Sequence, residues 1–301
     1  MNSITIHNLS KSYGDTHAVQ HLSLEVKKGE LFGLIGPDGA GKTTVFRMLT
    51  TLLLPDEGTA SIEGWDIVKD YKEIRKHVGY MPGRFSLYQD LTVEENLSFF
   101  ATVFGTTIAE NYDLIKDIYE QIKPFSNRRA GKLSGGMKQK LALCCALIHK
   151  PKVLLLDEPT TGVDVVSRKE FWEMLKKLKE QGISILVSTP YMDEASLCDR
   201  IALIQSGKVL STSTPEQIIA QYPTALYAIK APDLYALLQH LREHPNIDSC
   251  YPFGEYLHVT LKENTNIPIF EQQLKTTFPH LEWEAITPTI EDSFIHLMEE
   301  N

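Results

Sequence analysis

The sequence predicts an α/β core organised around a phosphate-binding loop, followed by a small α+β domain. Three observations predict it. The stretch Gly36–Thr44, GPDGAGKTT, follows the apolar run Leu31–Ile35 and precedes Val45-Phe46-Arg47-Met48-Leu49; strand, glycine loop, helix is the succession a phosphate loop needs. The uninterrupted apolar run Val153–Leu156 ends in Asp157-Glu158-Pro159, which reads as a strand buried on both faces with two acids at its outlet. Beyond Tyr222-Pro223 the elements read β-α-β-β-α-β, the ferredoxin-like order.

The chain of 301 residues is 43% hydrophobic and 23% charged, enough for sizeable cores and for about two domains. Residues 1–222 form the expected core domain, with a helical subdomain over about 84–150, and residues 223–301 an accessory domain. A formal net charge of -9 argues against a sequence-independent nucleic-acid binder. Cys144, Cys145, Cys198 and Cys250 lack metal-ligand spacing and read as reduced cytosolic thiols. The start, MNSITIHNLS, lacks the basic region and apolar core of a signal peptide. No apolar run approaches ~20 residues, so a membrane role is expected only through a partner.

In chain order, Ile4–Ile6 and Leu22–Val26 alternate as strands, with Lys11-Ser12-Tyr13-Gly14 between them as a loop. Tyr13 either stacks on a purine face or is an ordinary loop tyrosine. Leu52–Gly64 reads as a helix end, a Pro-Asp-Glu-Gly turn and a short strand, and Lys76–Pro82 as another short strand. Thr92 and Glu95 form a capping box, and residues from about 92 to 150 read as mostly helical. Ser134 suits an N-cap ahead of Gly135-Gly136; that glycine pair either presents N–H groups to an anion or is a plain linker. Arg168–Lys179 is an amphipathic helix, and Ile183–Val187 a buried strand ending in Ser188-Thr189-Pro190. Ile201–Ile204 and Val209-Leu210 bracket a Ser206-Gly207 hairpin turn, and Thr214–Gln217 is a second capping box. In the tail the strands are Leu226–Lys230, Ser249–Pro252, Leu257–Leu261 and Leu281–Ile286; the helices are Asp233–Glu243, Ile269–Phe278 and Ile290–Met298, the last with Thr289 as N-cap.

The chemistry expected of the loop follows from residue type. Gly36, Gly39 and Gly41 let backbone N–H groups turn inward around an anion, and a helix N-terminus adds partial positive charge there. Lys42 reaches terminal phosphates, and the Thr43 hydroxyl suits Mg²⁺. Adjacent carboxylates at a buried strand's outlet are costly unless a cation or a reaction needs them. Asp157 suits Mg²⁺, and Glu158 suits polarising a water.

In this order the motifs resemble those of the nucleotide-binding subunit of ATP-binding-cassette (ABC) transporters, over residues 1 to about 222. GPDGAGKTT looks like the Walker A loop, LSGGMKQK (Leu133–Lys140) like the signature, LLLDEP (Leu154–Pro159) like Walker B with its catalytic glutamate, and TGVD (Thr161–Asp164) like the D-loop. PDGAGKTT with KLSGGMKQKL, and a tail ending PTIEDSFIHL, are similar to multidrug and ABC-2-type export ATPases. The resemblance implies an α/β cassette with a mixed sheet. It implies ATP on Gly36, Pro37, Asp38, Gly39, Ala40, Gly41, Lys42, Thr43 and Thr44, with adenine on Tyr13. Mg²⁺ falls to Thr43 and Asp157, and catalysis to Glu158. Ser134, Gly135 and Gly136 would close the site of a second cassette. A membrane permease is the implied partner, and the implied location is the inner face of the cell membrane. The segment Arg84–Phe104 would receive the permease, with Phe85, Leu87, Tyr88, Phe99 and Phe100 as candidate contacts.

Two departures stand out. Gly83 occupies the place of the family's Mg²⁺-sensing glutamine, and Pro190 that of its switch histidine. Proline has neither a side-chain donor nor an N–H. Gln89 is six residues further on, and Val165 stands where the D-loop often has proline. The expectation is a slow own site and a signature that serves a different ATPase, favouring a heterodimer. Two alternatives are a nucleotide-sensing regulatory cassette without significant turnover, and a soluble ABC protein acting outside transport. The tail suggests a regulatory or docking role.

Overall fold

The computed structural model describes residues 1–299. The chain divides into two compact units, residues 1–218 with the stretch from Leu297, and Ile219–His296. The first contains strands β1 (Asn2–Tyr13), β2 (Thr16–Lys27) and β3 (Leu31–Ile35), then helix α1 (Lys42–Leu49), β4 (Glu57–Ile62), β5 (Trp65–Asp66), α2 (Tyr71–His77) and β6 (Val78–Met81). Helices α3 (Val93–Val103), α4 (Tyr112–Ile122) and α5 (Gly135–Leu147) follow. The chain returns through β7 (Val153–Asp157), α6 (Val165–Glu180), β8 (Ser184–Thr189), β9 (Arg200–Gln205), β10 (Lys208–Ser213) and α7 (Pro215–Ala220).

A six-stranded sheet runs β10-β9-β3-β8-β7-β6. All its pairings are parallel except β9 with β10. Its inner strands are apolar without alternation because helices or a second sheet cover both faces: Leu34, Ile35, Leu154, Leu155 and Leu156 are fully buried. A four-stranded antiparallel sheet, β2-β1-β4-β5, shares a core with α1 and the central sheet, through Ile4, Ile6, Val26, Phe32, Phe46 and Met48. Burying each such side chain stabilises by roughly 1.5–3 kcal/mol, and together they hold α1 rigidly at the outlet of β3.

Tertiary pairing moves several boundaries. Lys11–Tyr13 is strand, because β1 stays paired with β2 up to Tyr13 opposite Thr16. Helix α1 stops at Leu49; Thr51 has φ 60° and Leu52 is exposed. Lys76 and His77 belong to α2, which buries Ile74 alone and so lacks a readable apolar stripe. The expected capping box opens α3: the Glu95 N–H donates to Thr92 Oγ1 at 3.2 Å, and the Thr92 N–H to Glu95 Oε2 at 2.8 Å.

In the second unit, β11 (Leu226–Lys230), α8 (Leu234–Glu243), β12 (Ile247–Phe253), β13 (Tyr256–Leu261), α9 (Ile267–Thr277) and β14 (Glu282–Ile286) precede α10 (Ile290–Glu299). The sheet order β12-β13-β11-β14, antiparallel throughout, is ferredoxin-like. Leu237, Leu241, Phe270 and Leu274 cover one face with Leu257 and Val259. Helix α10 is tied to the sheet by Asp292. That fully buried carboxylate accepts from Tyr251 Oη (2.7 Å), a His258 ring nitrogen (2.6 Å) and the Thr289 N–H (2.7 Å).

Candidate functional site

In open parallel sheets, ligands bind beyond the carboxyl ends of the strands. Here the register sets three outlets side by side: Ile35 pairs with Thr189, and Asp157 with Ser188. The loop leaving β3 turns through Gly39 (φ 80°) and Gly41 (φ 104°) into α1, whose N-terminus has no side-chain cap. A Cβ on Gly41 would lie 2.2 Å from the Ala18 carbonyl oxygen, so only glycine brings the loop this close to β2. The first N–H groups of α1 are left for an anion.

Lys42 is 3% exposed. Its ammonium donates to the carbonyls of Gly36 (2.7 Å) and Pro37 (2.9 Å) and pairs with Glu158 Oε1 at 3.1 Å. Three donors thus meet three acceptors. The Glu158 carboxylate is the one side-chain acceptor of the three, and its side chain is 21% exposed. Gly39, Gly41, Lys42, Thr43, Thr44, Glu158 and Ala18 line one cavity of about 160 Å³.

Glu158 has φ 51°, a conformation that costs a non-glycine residue about 1–3 kcal/mol and clusters at functional sites. Ser188 holds it there: the Glu158 N–H donates to the Ser188 carbonyl (3.1 Å) and to Oγ (3.0 Å). The same hydroxyl donates to Asp157 Oδ1 at 2.7 Å. Asp157 is 2% exposed, and no cationic side chain pairs with it among the described residues. A buried carboxylate without a counter-charge is expensive, so Asp157 fits a divalent cation; Thr43 lines the cavity, and Asp157 lies behind its neighbour Glu158, outside the lining. Asp157 also acts on Tyr80: burial and then the nearby carboxylate push its phenol up to about 12.

Ser134, Gly135 and Gly136 are not among the residues lining this cavity. Ser134 caps α5 through the Met137 N–H (3.4 Å), and a Cβ on Gly136 would lie 2.5 Å from Ser167 Oγ. The serine-glycine surface therefore lies beside the start of α6, with Ser134 and Gly135 exposed. Tyr13 sits at the β1–β2 hairpin tip, 47% exposed, outside the cavity lining. Pro37 and Asp38 lie on the loop's outer turn, and Ala40 beneath it. Gly83 packs against the acids: a Cβ there would be 3.0 Å from the Asp157 carbonyl oxygen and 3.7 Å from Glu158 Cβ. Gln89 lies elsewhere, its carbonyl accepting the Gly131 N–H at 2.9 Å.

A larger apolar groove of about 470 Å³ opens beside β6, lined by Tyr80, Phe85, Leu87, Phe100, Cys145 and His149 among others. Its charged lining groups, Arg75 and Arg84, are basic. Tyr88 and Phe99 are exposed and form an edge-on pair with centroids 4.9 Å apart, outside the groove lining. Burial pushes His149 down to about 4, so it is a neutral wall residue at neutral pH, stacked on Phe104.

Sequence reasoning missed Ser188, which organises both acids. The available signal was a serine-threonine pair ending a buried strand.

The ABC transporter family model matches residues 19–161. The chain is 44% identical over 215 residues to the probable multidrug ABC transporter ATP-binding protein YbhF of Escherichia coli (strain K12), covering 71% of this chain and 37% of that protein. It therefore spans little more than a third of that relative's length. It is 40% identical over 242 residues to the Nod factor export ATP-binding protein I of Burkholderia orbicola (strain AU 1054), covering 79% of this chain and 80% of that protein. Among solved structures, a dimeric ATP-binding cassette in a post-hydrolysis state with ADP and Pi superposes with a TM-score of 0.63 at 27% identity, over 70% of this chain and 98% of that one.

Proposed function

The chain belongs to the ABC transporter family, among its ATP-binding subunits, and from that premise we propose that it is the ATPase of an export system, pairing with a second cassette and driving a separate membrane permease. The observation that carries this is the buried Lys42 ammonium at the uncapped start of α1, held in waiting by Glu158. Phosphates would settle on the N–H groups of the Gly36–Thr44 loop, and Lys42 would exchange the Glu158 carboxylate for a terminal phosphate oxygen. Glu158, released towards the cavity, would then orient and polarise the attacking water. Asp157, steadied by Ser188, and Thr43 would hold Mg²⁺, which neutralises charge on the phosphates. Tyr13, exposed at its hairpin tip, would cover the adenine.

The exposed Ser134-Gly135 surface supports a head-to-tail pair in which each signature closes the other cassette's site. Gly83 and Pro190 provide no side-chain donor near the terminal phosphate. Losing one preorganised donor costs roughly 10²–10³ in rate, so this chain's own site is slow, and its signature serves a more active partner in a heterodimer. The same two residues favour one further reading, a nucleotide sensor that gates the permease without turnover.

The groove beside β6 would seat the permease, with Phe85, Leu87 and Phe100 in contact. Its apolar floor and basic lining fit an amphipathic helix carrying acidic residues. No helix among the described residues is long and apolar enough to cross a membrane, so attachment runs through that partner. The test is nucleotide binding and nucleotide-driven pairing by the purified chain, together with co-purification of a permease from membranes. Binding lost in Lys42→Ala and permease lost in Phe85→Glu are the expected results. No binding of MgATP at millimolar concentration overturns the proposal.

A further inference from the structure

Glu194, in the turn after β8, is 1% exposed. A carboxylate at that depth needs donors and a counter-charge. Its Oε2 accepts from Thr189 Oγ1 at 2.5 Å and from Thr160 Oγ1 at 3.1 Å. Its Oε1 faces Arg168 Nε at 3.5 Å, an ion pair without hydrogen-bond alignment. The Arg168 guanidinium lies 4.2 Å from the centroid of the Tyr191 ring and reaches Asp193 at 3.7 Å.

Three segments therefore converge on one carboxylate: the end of β8, the stretch following Glu158, and the first turns of α6. Thr189 carries the link onward. Its hydroxyl also accepts the Tyr191 N–H at 3.1 Å, and its carbonyl accepts the Gly36 N–H at 3.3 Å. The backbone on both sides of Pro190 is thus fixed from Glu194, and Thr189 bonds directly to the start of the phosphate loop.

We propose that Glu194 is a positioning residue for the terminal-phosphate side of the nucleotide site, holding Thr189-Pro190-Tyr191 against the phosphate loop and the Glu158 segment. This rests on the nucleotide-binding reading above. Thr189 ends β8, between the outlets of β3 and β7, so the segment sits between the start of the phosphate loop and the Asp157-Glu158 pair, where on the reading above a triphosphate would place the phosphate that a diphosphate lacks. The remaining phosphates rest on the start of α1, which Glu194 does not touch. Its loss should therefore be felt by ATP and not by ADP.

The test uses the purified full chain and displacement of a fluorescent adenine nucleotide by MgATP and by MgADP. Glu194→Gln keeps the shape and removes the charge facing Arg168. It should weaken MgATP by about tenfold and leave MgADP unchanged. Thr160→Val removes one donor at constant volume and should shift the ATP-to-ADP affinity ratio in the same direction, whereas Thr160→Ser restores it. If Glu194→Gln does not fold, the Thr160 pair decides the matter. ATP and ADP affinities that move together, or a ratio unchanged in all variants, overturn the proposal and leave Glu194 a structural buttress. A parent chain that binds neither nucleotide overturns the nucleotide-binding reading itself.

Discussion

On the proposed reading, replacing Pro190 by histidine should place a donor beside the terminal phosphate. Thr189 and Tyr191 flank the position, and their backbones are fixed by the Gly36 N–H on the Thr189 carbonyl (3.3 Å) and the Tyr191 N–H on Thr189 Oγ1 (3.1 Å). A histidine would enter a defined backbone. One preorganised donor is worth roughly 10²–10³ in rate, but with Gly83 still lacking its side chain the gain should be about 10- to 100-fold in kcat, or ~1.4–2.8 kcal/mol of barrier. Removing proline frees the unfolded chain, so stability should fall by about 0.4–1 kcal/mol. Gly83→Gln should help less. Its Cβ would sit 3.0 Å from the Asp157 carbonyl oxygen, so the β7 outlet must shift by a few tenths of an ångström, and Asp157 and Glu158 shift with it. The assay is phosphate release at saturating MgATP, with Glu158→Gln as the control in each background. Robust turnover by the parent chain, abolished by Glu158→Gln and unchanged by Pro190→His, would refute the reasoning.

Ser188→Ala removes the donor to Asp157 and one of the two acceptors for the Glu158 N–H, the Ser188 carbonyl remaining; it should destabilise the first unit by about 1.5–3 kcal/mol, and an unmoved urea midpoint would dismiss the role given to Ser188. Burial holds His149 at about 4 against 6.5 for an ordinary histidine. The unfolded chain therefore takes up a proton first as pH falls. Stability should be full above pH 6.5, decline towards pH 4 by at most about 3 kcal/mol, and then level off; His149→Gln should flatten that slope, and an identical slope would exclude His149 as its source. Burial opposes ionisation of Asp292, but hydrogen bonds from Thr289, His258 and Tyr251 outweigh it and hold the carboxyl below its ordinary value. Asp292→Asn should cost about 3 kcal/mol and release α10 from the sheet, read as lost amide-exchange protection in Ile290–His296; retained protection would contradict it.

The sequence by itself determined most of the elements and their order, because those signals are local; β5 and α2, short and with little buried apolar surface, were not legible. Glycines at positive φ mark the loop at Gly39 and Gly41, and unbroken apolar runs mark β3 and β7. Thr92 with Glu95 opens α3, Ser134 opens α5, and alternation in the tail yields the ferredoxin-like succession. The pairing of β1 with β2, which turns Lys11–Tyr13 into strand, was not legible, since strand ends depend on a partner elsewhere in the chain. Nor was the grouping of Lys42 with Glu158, of Ser188 with Asp157 and Glu158, or of Glu194 with Thr160, Thr189 and Arg168. Those contacts exist because parallel pairing lines up the outlets of β3, β8 and β7 in one register, and register is a property of the folded sheet. A serine at a strand end, or a glutamate in a turn, has no local signature of the charge it will face. Burial confers that meaning, by stripping away water and leaving each carboxylate dependent on the few donors the fold sets around it.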